Sequence, residues 1–195
     1  MINNKQKIKE HYTKLAKKYL DTKKVLIIFI VLVFILMFSK AFKGILLLII
    51  FIPLVQYSIR LTKFVPYVTL ETYTGSAILM AYIYGPLAGS LTALFLGIYG
   101  YFINGITKFL ALLNVFVATF TGFLIGFLIQ HKILNFGFTT TFIIAIIINN
   151  IISYFVFLID PDQIQNITYR VTHTLWNCFI SQMFFSLLYY IYNLL

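Results

Sequence analysis

Long apolar runs separated by short polar stretches set the rhythm of this chain. Val25–Phe38 is apolar throughout but only fourteen residues long. As a helix it covers about 21 Å, against a hydrocarbon core of roughly 30 Å. It would cross by snorkelling its flanking lysines, or only dip in. Gly44–Ile59 is the next run, and Pro53 predicts a kink in it. The stretch from Arg60 to Thr74 mixes Arg60, Lys63, Pro66 and Glu71 and reads as a loop. Gly75–Ile103 is too long for one span and is interrupted by Tyr84-Gly85-Pro86-Leu87-Ala88-Gly89. Gly-Pro breaks helices, and proline biases the preceding residue away from helix. The pattern therefore predicts helices over about 72–84 and 87–103. Phe109–Ile129, Phe138–Ile159 and Thr172–Leu195 are the remaining spans, with Asp160-Pro161-Asp162 as a turn between the last two.

The runs are continuous, as in Ile143–Ile148, rather than alternating. A membrane β-barrel would alternate apolar and polar residues, so the expected fold class is all-α, a polytopic transmembrane helix bundle. Composition agrees: 61% of the 195 residues are hydrophobic and 10% charged, and mean hydropathy is +0.94. A water-soluble domain needs far more charge to cover its surface. The expected location is the cell membrane, with several passes.

Residues 1–24 carry a different signal. Ile8, Tyr12, Leu15 and Tyr19 fall on one face of a helix, and lysines fill the rest. Such a segment lies on the membrane surface as a basic amphipathic helix, or is a solvated tail. Eight of the fifteen Lys and Arg precede Val25. Placed beside an apolar run, that cluster points to anionic lipid rather than to nucleic acid, despite a net charge of +10. The chain thus divides into 1–43, basic and short-hydrophobic, and 44–195, a six-helix membrane domain. If Val25–Phe38 crosses, seven spans put twelve Lys/Arg inside and three outside; if not, six spans put eleven inside and four outside. Both satisfy the positive-inside rule.

Chemistry-bearing motifs are sparse. The three histidines form no H-E-x-x-H, and there is no G-x-S-x-G or P-loop. Cys178 is the only cysteine, so neither an internal disulfide nor a cysteine metal site can form within one chain. No enzyme activity, metal or cofactor is expected. No Asp or Glu lies inside an apolar run, which disfavours a carrier driven by its own ion coupling. What the spans do contain is neutral amides, among them Asn114, the adjacent pair Asn149-Asn150, and Asn177. In lipid these must face the bundle interior or water; they are interhelical glue or ligand contacts. Adjacent positions point about 100° apart, so at most one of Asn149 and Asn150 lines a given cavity. Small residues form two stripes, Gly89/Ala93/Gly97 and Ala118/Gly122/Gly126, suited to internal packing or to docking another membrane subunit. Trp176 beside Asn177 is a headgroup anchor or part of a pocket wall.

At Val65-Pro66-Tyr67…Glu71…Gly75, followed by Tyr84-Gly85-Pro86-Leu87-Ala88-Gly89-Ser90, the chain resembles the substrate-binding S-components of energy-coupling-factor (ECF) vitamin transporters. The resemblance covers roughly Ile45–Leu195. It implies a six-helix bundle with both ends cytoplasmic, docked on a transmembrane coupling subunit driven by two ATPases. It also implies a small-molecule ligand near the outer face, surrounded by Arg60, Tyr67, Glu71, Asn114, Asn149 or Asn150, Trp176 and Asn177. The alternative is a non-catalytic membrane scaffold of the MreD type, in which the small-residue stripes bind partner membrane proteins. A third is a small secondary carrier. Capture predicts a polar pocket among Glu71, Asn149/Asn150 and Asn177; the scaffold predicts amides that pair with one another.

Overall fold

The computed structural model describes residues 22–37, 39–62, 72–106, 108–156 and 171–194. Among these residues every regular element is helical. The chain divides into two compact units, residues 1–43 and 44–195.

In the first unit, α1 (Thr22–Met37) is a sixteen-residue helix with no polar face. Side chains from Val25 to Leu32 are all exposed. A helix that is apolar all round and exposed from Val25 to Leu32 is suited to hydrocarbon, not to water. Ser39 then starts α2 (Lys40–Thr62): the Phe42 amide donates to Ser39 Oγ at 3.2 Å, capping the new helix. The helix therefore begins four residues ahead of the apolar run, because the cap and not the hydropathy sets its start. It also runs three residues past Ile59, through Arg60 to Thr62. Pro53 lies inside it.

The second unit is built around α3 (Thr72–Tyr84). Ten consecutive residues, Thr72 to Ala81, are buried, so no face of this helix meets lipid over that stretch. It packs against α4 (Pro86–Ile103), α5 (Phe109–Gln130), α6 (Phe138–Val156) and α8 (Gln182–Leu194). Small residues make the central position possible: a Cβ on Gly75 would stand 2.1 Å from the Phe185 ring. Between α3 and α4 the break falls at Gly85, whose φ of 95° is the left-handed region that glycine occupies without penalty. Pro86 follows as the first residue of α4, where its missing N–H costs nothing.

α4 and α5 make the most extensive helix pair. Their small-residue stripes face each other. A Cβ on Gly89 would lie 2.9 Å from the Gly122 carbonyl oxygen, and one on Gly126 would lie 2.5 Å from Pro86 Cα. Ala93, Gly97 and Ala118 are buried in the same seam. The stripes are thus taken up by packing within the chain. The physical reason is that two helices with no side chains at their crossing gain more contact from each other than either gains from lipid tails.

The chain ends in a helical run, 171–176 (α7), a π-helical turn at Asn177–Ser181, and α8. An aromatic layer ties α8 to the rest: Phe185 stacks on Phe142, and Tyr189 stacks on Phe138 and meets Tyr82 edge-on. Among the described residues four helices, α2, α4, α5 and α6, are long and apolar enough to cross a membrane. At thirteen residues α3 is shorter than any of these four, and the π turn interrupts the last run. This is an all-helical membrane protein.

Candidate functional site

Polar side chains gather where α6 ends and α7 begins. Asn149 and Asn150 illustrate how one helix directs them. Asn149 is buried, and its Oδ1 accepts from Thr121 Oγ1 of α5 at 3.1 Å. Asn150, a third of a turn on, is half-buried and donates Nδ2 to the Ile146 carbonyl of its own helix at 2.8 Å. The first ties helices together; the second faces a cleft.

Asn177 opens the π turn and is fully buried. Its Nδ2 donates to the His173 carbonyl at 2.9 Å and lies 3.3 Å from His173 Nε2. Ser181 Oγ donates to Asn177 Oδ1. His173, Asn177 and Ser181 recur every four residues, so they share one face, and all three are buried. A π turn within a helix is uncommon and often accompanies a functional site. Two buried donors lack a hydrogen-bond partner among the described residues: Thr74 Oγ1 and Trp176 Nε1. Such groups cost about 1–3 kcal/mol each unless something completes the bond.

Between α6 and α7 lies a cleft of about 330 Å³, lined by Ile147, Asn150, Ile151, Tyr154, Val171, Thr174 and Leu175. Its walls are apolar apart from Asn150, Thr174 and the Tyr154 hydroxyl. That volume is at the lower end of the roughly 300–1,000 Å³ that small-molecule pockets occupy.

The residues singled out from sequence disperse around this region. Of the expected ligand contacts, Asn150 lines the cleft, and Trp176 follows the lining residue Leu175. Asn149 and Asn177 are turned into intrachain hydrogen bonds. Asn114 is half-buried on α5, seven residues before Thr121, and no hydrogen bond joins it to the others among the described residues. Arg60 is exposed in the last turn of α2. Tyr67 and Glu71 lie outside the described residues, and with them the polar pocket expected between Glu71 and the amides. Gly85 and Pro86 form the α3–α4 corner, and Gly89, Ala93, Gly97, Ala118, Gly122 and Gly126 its seam.

Thr121 and Ser181 escaped the sequence reading, because a hydroxyl inside an apolar run leaves the hydropathy almost unchanged. The four-residue spacing of His173, Asn177 and Ser181 was the signal that would have exposed the ladder. Among the described residues no three His, Cys, Asp or Glu are grouped to hold a metal ion. No family model, curated protein or solved structure matches the chain.

Proposed function

We propose that the chain is the substrate-capture subunit of an ATP-driven small-molecule importer in the cell membrane, similar to an ECF S-component. The observation that carries this reading is the α6–α7 cleft, which has a small-molecule volume and carries the Asn150 amide within apolar walls. In this reading α2, α3, α4, α5, α6 and the run 171–194 form a six-span core with both ends cytoplasmic, the short α3 crossing because protein rather than lipid surrounds it. The run covers roughly 35 Å, enough to cross. The cleft then opens in the outer leaflet, at the end where residues 157–170 join α6 to α7. The subunit acts by binding alone. A separate transmembrane coupling subunit and ATPases supply the energy, and residues 1–43 meet anionic lipid.

A different observation favours the MreD-type scaffold: Asn149 and Asn177 are both bonded inside the chain, to Thr121 and to His173 and Ser181, where that reading expects amides paired with one another. Native mass spectrometry of the detergent-purified protein separates the two. A co-purifying small molecule, lost in Asn150→Leu, supports capture. A spectrum free of small molecules, with partner membrane proteins retained instead, moves the assignment to the scaffold.

A further inference from the structure

Resting on the capture reading, we infer that the ligand is a lipid-soluble molecule with one hydrogen-bond donor, which enters the α6–α7 cleft sideways from the bilayer and donates to Asn150 Oδ1. The amide nitrogen of Asn150 is already committed to the Ile146 carbonyl. Its Oδ1 has no partner among the described residues. An amide oxygen at this depth has no water to turn to, so a donor brought by a ligand gains the full difference between a paired and an unpaired carbonyl. The wall residues Ile147, Ile151, Tyr154, Val171 and Leu175 are all exposed on the outer surface of their helices. In a membrane that surface faces acyl chains, so a molecule dissolved in the bilayer reaches the cleft without passing through water. Among the described residues no charged side chain lines the cleft, which disfavours carboxylate, phosphate or ammonium groups. The ligand class is therefore an alcohol, phenol or secondary amide on an apolar body.

Trp176 is the single tryptophan of the chain and follows Leu175, so its fluorescence reports on the cleft. The purified full chain in phosphatidylcholine nanodiscs is titrated with 6-bromohexan-1-ol and with 6-bromohexyl methyl ether. The two share a quenching bromine, and the ether lacks a donor. The alcohol is expected to quench saturably at about tenfold lower concentration, the ratio set by one hydrogen bond worth about 1.4 kcal/mol. Asn150→Leu is expected to bring the alcohol to the level of the ether. Ile151→Phe, which fills the cleft and leaves the amide, is expected to weaken both alike and serves as the check if Asn150→Leu does not fold. Equal quenching by alcohol and ether in the unaltered protein overturns the donor requirement and leaves a groove for acyl chains. No saturable quenching by either overturns the inference; if native mass spectrometry still finds a water-soluble ligand, the capture reading survives without it.

Discussion

The α4–α5 pair and the α6–α7 region meet in opposite ways. α4 and α5 touch backbone to backbone, with Gly89 against Gly122 and Pro86 against Gly126. Nothing polar is needed there, and no opening is left. Around the α6–α7 corner the helices present Asn149, Asn150, His173, Asn177 and Ser181, a π turn and a cleft. The difference shows what each device supplies in lipid. Small residues give close contact, which fixes position but offers no group to a ligand. Amides and hydroxyls hold helices through directed bonds, which leave gaps beside them and acceptors that a ligand can use.

Substitutions can break that contrast. The largest effect is expected at the glycine seam. Gly126→Leu drives a side chain into the Pro86 backbone, where nothing flexible can yield. A loss of about 3 kcal/mol or failure to assemble is expected, read as thermal loss of helical circular dichroism in detergent. Retention of wild-type melting would show that α4 and α5 can separate freely. Asn177→Leu comes next: it leaves the His173 carbonyl and Ser181 hydroxyl without this partner, at about 1–2 kcal/mol. The same melting experiment checks it, and a neutral result would mean the ladder adds nothing to stability. Smaller still is the coupling between Thr121 and Asn149. A double-mutant cycle with Thr121→Val and Asn149→Leu should return about 0.6 kcal/mol, the usual worth of a hydrogen bond between membrane helices. A coupling near zero would remove the α5–α6 bond from the account. At the bottom lies Gly137→Ala, a glycine with nothing within 4 Å of the added Cβ; a change inside about 0.5 kcal/mol is expected. A large effect there would show that the cost at Gly126 is not specific to the seam.

Much of this was legible in the chain. Tyr84-Gly85-Pro86 announced the α3–α4 break, because only a glycine before a proline accommodates that corner. The four-residue spacing of Gly89, Ala93 and Gly97 announced a close-packed seam. Adjacent Asn149 and Asn150 announced two different environments. The start of α2 was less legible, since a serine cap lies outside the apolar run that hydropathy marks. The π turn had no sequence mark at all.

The order of residues alone dictates that the chain is helical and suited to lipid. Continuous apolar runs with so few charges leave the backbone no partner but itself. It also determined which residues were small and which carried amides. Helix packing is what encloses α3 on every side, sets the Gly122 stripe against Gly89, and turns Asn149 inward while Asn150 meets the cleft. Those outcomes depend on which helix lies beside which and at what rotation. In a bilayer every face of an apolar helix is equally compatible with lipid, so the hydrophobic pattern that fixes rotation in water is silent, and packing and hydrogen bonds choose instead.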